Sequence, residues 1–204
     1  MPASSKFAPK LAGRHAFDTC ESYIVDTVIP IQSATNGQKT LNAQDGKQNW
    51  LFKAMRAFSA RNKLVQVAAL PWRIRKGEVQ VCLVTSRGTG RWILPKGWPE
   101  KDLSHAEAAA REAWEEAGLK GKADAGRCGE FDALKGVEED LTVQVRLKVF
   151  LLPEPKQFRD FPEKGERKVK WLSLDKAMAR VDEDGLRKLI HNLQESGAFK
   201  QPRT

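Results

Sequence analysis

The chain reads as an α+β domain: a mixed β-sheet sandwiched between α-helices, an α/β/α sandwich. Three observations predict this. Several segments after residue 63 show the period-two alternation of half-buried strands, Leu141 to Leu152 most clearly. One well-capped helix, Ser104 to Gly118, interrupts that strand series. A last strand then leads into two short helical patterns at the end. Strand blocks with a helix inserted and others following are the order an α+β layer arrangement needs.

Residues 1–63 read as an N-terminal extension, and residues 64–204 as the domain. Met1 to Leu11 is rich in Ser, Pro and Lys and reads as disordered. Tyr23 to Ile31 is a short apolar run, a candidate strand. Ser33 to Asn49 is a Gln/Asn/Gly/Thr-rich linker. Near 50–60, Trp50, Leu51, Phe52, Met55 and Phe58 interleave with Lys53, Arg56 and Arg61, the pattern of a short basic amphipathic helix. Leu64 to Ile74 and Val79 to Ser86 read as strands joined by a turn at Arg75-Lys76-Gly77. Arg87 to Gly97 is a loop holding the apolar piece Trp92-Ile93-Leu94. Gly126 to Leu134 is the next strand. In Leu141 to Leu152, Leu141, Val143, Val145, Leu147 and Val149 share one face, and Thr142, Gln144, Arg146 and Lys148 the other. Lys168 to Leu172 is the last strand. Ser173 then caps a helix to about Arg180, and Gly185 to Gln194 is the terminal helix.

The inserted helix carries the chemistry. Ser104 and Glu107 have the spacing of a capping box, and Gly118 suits the left-handed position that ends a helix. Ala106, Ala110, Ala113 and Ala117, with Trp114 beside them, form a stripe for docking on a core. The other side carries Glu112, Glu115 and Glu116, which fall within roughly a 100° arc. Like charges three and four residues apart repel, so such a face calls for a cation. Hard divalent ions bound by carboxylate oxygens are the natural candidates. The alternative is a solvated acidic face neutralised by Arg111 and Lys120.

The stretch from Gly97 to Leu119 resembles the Nudix box, G-x5-E-x7-R-E-U-x-E-E-x-G-U with U a bulky apolar residue. Gly97, Arg111, Glu112, Glu115, Glu116, Gly118 and Leu119 match in register. Two positions depart: Leu103 stands at the first Glu of the pattern and Ala113 at the first U. The resemblance extends over about residues 65–182 and implies the Nudix fold. It implies a pyrophosphohydrolase in which Glu112, Glu115 and Glu116 bind Mg²⁺, or Mn²⁺. Arg111 would orient the carboxylates, and the Gly97 carbonyl would be an additional metal ligand. With leucine at 103, the supporting role of the box Glu is lost or passes to Glu100. The general base is open among Glu138, Glu139, Glu163 and Glu166.

Substrate class must come from outside the box. Ser86-Arg87-x3-Arg91-Trp92, the box itself and Lys164-x2-Arg167-Lys168-x-Lys170-Trp171 resemble diphosphoinositol polyphosphate phosphohydrolases, Nudix enzymes that also cleave diadenosine polyphosphates. The Leu94-Pro95-Lys96-Gly97 lead-in is shared with diadenosine tetraphosphate hydrolases and RNA pyrophosphohydrolases. Arg87, Arg91 and Lys96 would then contact phosphates, and Arg146, Lys148, Arg167, Lys168 and Lys170 would add to a cationic pocket. A nucleoside diphosphate-X or RNA 5′ substrate would call for base stacking, with Trp92 or Trp98 as the platform. A catalytically degraded module that only binds a nucleotide or nucleic acid is the reading from another class; Leu103 and the basic N-terminus favour it, and the intact Arg111-Glu112-x-x-Glu115-Glu116 opposes it.

Charge and composition agree with a polyanionic small-molecule substrate. The formal net charge is +9. Residues 1–63 hold nine Lys/Arg against four Asp/Glu, a charge of +5, which leaves +4 on the remainder despite its acidic helix. Nucleic acid is a possible but less favoured partner, and the charge says nothing of oligomeric state. No apolar run reaches membrane-spanning length, and no secretory signal opens the chain. Cys20, Cys82 and Cys128 lack metal-ligand spacing and fit a reducing, cytoplasmic setting.

Overall fold

The structure, a computed structural model, describes residues 64–138 and 141–200. The expectations for residues 1–63, the amphipathic helix near 50–60 among them, lie outside these residues, as do the side chains of Glu138 and Glu139.

The elements follow in the order β1 (Leu64–Arg75), β2 (Glu78–Thr85), β3 (Trp92–Ile93), β4 (Lys96–Gly97), α1 (His105–Ala117), β5 (Leu119–Lys120), β6 (Arg127–Glu138), β7 (Leu141–Pro153), β8 (Lys156–Gln157), β9 (Val169–Ser173), α2 (Leu174–Arg180) and α3 (Asp184–Glu195). The main sheet runs β3-β2-β1-β7-β6, with β4 also paired to β1 and β9 to β2. It is mixed, because β1 and β7 are parallel while the other pairs are antiparallel. β1 is the central strand, and Gln66 through Trp72 is buried without alternation. Such a run needs cover on both faces of the sheet.

That cover is helical. On one face, Ala106, Ala109, Ala113 and Ala117 of α1 pack on Val67, Ala69, Cys82, Val84, Phe150 and Leu152. On the other, α3 lies against β6, with Gly185 close on Phe131 and Gly129 on Leu189. Phe131 is paired with Leu147, so the odd-numbered apolar face of β7 points into this second layer. Its even-numbered side turns apolar from Phe150 onward and serves the α1 layer.

Most strand expectations differ from the observed bounds by one or two residues. β6 runs four residues further than expected, to Glu138, held by pairing with β7. The two-residue strands β4, β5 and β8 were not anticipated; each is defined by a distant partner rather than by its own pattern. β5 and β8 pair just after α1 and tie the following loop to the helix end. Cys82 and Cys128 are free thiols. Among the described residues, no helix is long and apolar enough to cross a membrane.

Candidate active site

The site is built around the second half of α1. The Ser104 hydroxyl accepts from Glu107 N, and the Glu107 carboxylate accepts from Ser104 N at 2.9 Å, closing the capping box. At the other end Gly118 has φ +69°, and a β-carbon there would meet the Phe158 carbonyl and the Phe161 ring. Both the backbone conformation and the close packing therefore require glycine. The helix is held rigidly at both ends with its alanines in the core.

The acidic face is not a solvated one. Glu116 is only 4% exposed, and Glu112 and Glu115 are partly buried. Lys120 does not neutralise them, since its ammonium lies 3.8 Å from the centre of the Trp114 ring. Glu112 has no hydrogen-bonding or ion-pair partner among the described residues. Its carboxyl is pushed up to about 8 by burial, and then by Glu116, Glu115, Glu163 and Glu100 around it. Glu116 is pushed up to about 7 by burial, although Arg167 and Lys96 pull it down. Its Oε1 pairs with Arg167 and its Oε2 accepts from Lys96 N at 3.2 Å.

Gly97 meets this cluster directly. A β-carbon at residue 97 would fall on the Glu112 carboxylate, so only glycine leaves the carboxylate room beside β4. Arg111 pairs with Glu115 at 2.8 Å and with Glu100 at 2.6 Å. Glu100 thus shares the arginine with the helix. Leu103 instead packs against the core beneath α1, so an apolar contact replaces the box Glu at that position.

Basic groups surround the cluster to different degrees. Lys96 is held below the ordinary lysine range by burial, with Glu116 and Glu183 opposing that effect. Arg87 pairs with Glu163 and, at 3.2 Å, with Glu166. Two of the general-base candidates are therefore engaged by arginine. Arg91 bonds Thr89 Oγ1 at 3.0 Å within its own loop. Arg146 is drawn to Asp132 at 3.2 Å and Glu130 at 3.5 Å on β6. Lys148 acts on His105 at the start of α1. These last two are thus joined to the first turn of α1 and to β6, not to the carboxylates. Trp98 is buried and offers no face for a base. Trp92 remains half-buried with the Arg180 guanidinium 5.9 Å from its ring centre.

The NUDIX domain family model matches residues 64–193. The chain belongs to the Nudix family. Nudix hydrolase 13, mitochondrial, of Arabidopsis thaliana is 30% identical over 135 residues, 62% of this chain and 67% of that protein. Diphosphoinositol polyphosphate phosphohydrolase 3-alpha of Mus musculus is 32% identical over 116 residues, 55% of this chain and 66% of that protein. The crystal structure of C. elegans Ap4A hydrolase superposes with a TM-score of 0.50 at 17% identity, covering 66% of this chain and 98% of that one; that likeness concerns the fold. This Nudix chain is an enzyme of the pyrophosphohydrolase kind.

Its donor set suits a hard divalent cation. Among the described residues no three His, Cys, Asp or Glu side chains are already gathered as a closed metal-holding group, because Glu115 and Glu116 are turned toward arginines. What fits is the chemistry of the donors: oxygen ligands on a rigid helix, with Glu112 making no ion pair among the described residues and surrounded by four other carboxylates. Magnesium needs few protein carboxylates and keeps waters and substrate phosphates as its other ligands.

Sequence reasoning missed two participants. Glu183, at the head of α3, has a buried Oε2 and acts on Lys96 and Arg91. Arg167 was expected as one of several pocket cations, and its pairing with Glu116 was not foreseen. Nothing local to either residue marks it; both arrive through the packing of β9 and α3.

Proposed function

We propose that this Nudix enzyme hydrolyses a phosphoanhydride bond in a highly charged small molecule, with Mg²⁺ or Mn²⁺ held by Glu112, Glu115 and Glu116 and by the Gly97 carbonyl. The observation that carries this reading is the Glu112 carboxylate, lodged against Gly97 with no ion-pair contact among the described residues and amid four other acids. A divalent ion there would neutralise phosphate oxygens and lower the pKa of a water at the reacting phosphorus. The protein's own part is to fix the carboxylates, which Arg111 does by bridging Glu115 and Glu100. Arg87, Arg91 and Lys96 would hold the polyphosphate, the arginines by forked bonds and the lysine as a point charge.

A diphosphoinositol polyphosphate or a diadenosine polyphosphate is the substrate class best supported. The basic segments flanking the box favour it, as does similarity to diphosphoinositol polyphosphate phosphohydrolases. A nucleoside diphosphate-X or RNA 5′ substrate is less supported, because of the two candidate platforms Trp98 is buried and Trp92 is half-buried. The N-terminal residues 1–63 are proposed as an extension separate from the 64–204 domain.

The test is product release with Mg²⁺ from diphosphoinositol phosphates, diadenosine penta- and hexaphosphate, ADP-ribose and 5′-triphosphorylated RNA, with Glu116→Gln alongside. The expected result is cleavage of the first two classes, reduced at least ~100-fold in the variant. Unchanged turnover in Glu116→Gln would overturn the assignment. Tight ligand binding without turnover would mark a binding module.

A further inference from the structure

Arg167 is not placed as a mobile substrate contact. Its side chain is 9% exposed and is held on three sides. It pairs with Glu116, pairs with Glu163 at 2.9 Å, and donates through Nη1 to the Thr85 carbonyl at 3.0 Å. The planar guanidinium thus bridges a carboxylate on α1 to one on the loop before β9, a fork a lysine does not reproduce.

That loop is itself fastened to the helix end. Phe158 N donates to the Gly118 carbonyl at 2.9 Å, and Glu163 N donates to the Glu115 carbonyl at 3.0 Å. Phe158 also packs edge-on against Trp114, with ring centres 5.6 Å apart. Arg167 is therefore a fixed positive charge set on Glu116. Both oxygens of Glu116 are committed to protein donors, whereas Glu112 has none among the described residues.

We propose that Arg167 is a positioning residue that sets the divalent-cation affinity of the carboxylate cluster. The inference rests on the reading that Glu112, Glu115 and Glu116 bind the metal. By sharing Glu116, the guanidinium keeps that carboxylate aimed into the site and opposes a second cation at the same oxygens. A cluster weakened in this way binds a bare ion poorly and fills best when a polyphosphate brings its own cation and adds ligands of its own. Substrate and metal would then enter and leave together.

The experiment is a calorimetric titration of the full chain with Mg²⁺ at pH 9, comparing the wild type with Arg167→Gln, Arg167→Lys and Glu112→Gln. Arg167→Gln is expected to bind Mg²⁺ at least about tenfold more tightly. Arg167→Lys, which keeps the charge but not the fork, should fall between the wild type and Arg167→Gln. Glu112→Gln should lose binding. If neither the wild type nor Arg167→Gln binds Mg²⁺, or Glu112→Gln binds as well as the wild type, the metal reading fails and takes this inference with it. If Glu112→Gln loses binding while Arg167→Gln binds equally or more weakly, the role given to Arg167 alone is overturned. A lowered unfolding temperature without tighter binding, the signature of a purely structural arginine, overturns it as well. Should Arg167→Gln not fold, the Arg167 Nε–H resonance of the wild type decides. It should shift as Mg²⁺ saturates the cluster, and an unmoved signal refutes the proposal.

Discussion

Replacing Glu112 by glutamine should stabilise the metal-free protein at alkaline pH while abolishing its function. In the fold the Glu112 carboxyl titrates at about 8 against an ordinary value of 4.5, chiefly through burial and then through its acidic neighbours. Between those two values the folded chain holds a proton that the unfolded chain has released. Stability therefore falls as the pH rises through this window, and the full cost is reached above pH 8. Taken at face value that cost is about 5 kcal/mol. Glu112 keeps partial contact with water, and screening brings the figure nearer ~2 kcal/mol. Glutamine has nearly the same shape and no charge to desolvate, so the variant avoids the penalty. For a chain of this size the gain corresponds to roughly 4–8 °C in unfolding temperature. The assay is thermal unfolding in EDTA at pH 5 and pH 9, followed by a repeat with excess Mg²⁺. At pH 5 the two proteins should unfold close together, because Glu112 is then neutral in the fold. At pH 9 the variant should be the more stable, and Mg²⁺ should raise the wild type selectively. A variant equally or less stable than the wild type at pH 9 would mean that Glu112 already has a compensating partner, and the argument for a cation at that carboxylate would collapse.

Gly97→Ala places a methyl group on the Glu112 carboxylate; Mg²⁺-dependent turnover should drop by ~100-fold, and steady-state kinetics with kcat near wild type would refute the close approach. Glu100→Gln should reduce turnover about tenfold by releasing one side of Arg111. Its effect on denaturant unfolding should stay within ~0.5 kcal/mol, since that pair is partly exposed. Leu103→Glu restores the box residue yet should lower stability by about 1–3 kcal/mol in urea unfolding, because Leu103 packs against the core beneath α1. A gain in activity from Leu103→Glu would show that Glu100 does not fill the role.

How much of this was legible beforehand depends on how local each cause is. The carboxylate helix was readable because its determinants lie within it: a capping box at Ser104 and Glu107, an alanine stripe, and a glycine at 118 that takes a positive φ. The strands were readable by period, and β7 kept its expected inward face through Val149. The basic residues were a different matter, because composition reveals a cation but not its partner. Arg146 looked like a pocket residue on the solvent side of a strand. Register decides otherwise: it sits directly opposite Asp132 on β6, and the pair close on each other. Arg167 looked equivalent to Lys168 and Lys170 beside it. Only the pairing of β9 with β2 turns Arg167 inward to the Thr85 carbonyl and Glu116, while its two neighbours stay exposed. A buried arginine next to a presumed metal ligand is costly unless its charge has work there, since desolvating a guanidinium must be offset by its carboxylates. Glu116 and Glu163 offset it, and on the proposed reading a divalent ion has to share Glu116 with that pairing. On the proposed reading the acidic motif on α1 specifies where a cation goes, and Arg167, remote in sequence in the loop before β9, sets how tightly it is held.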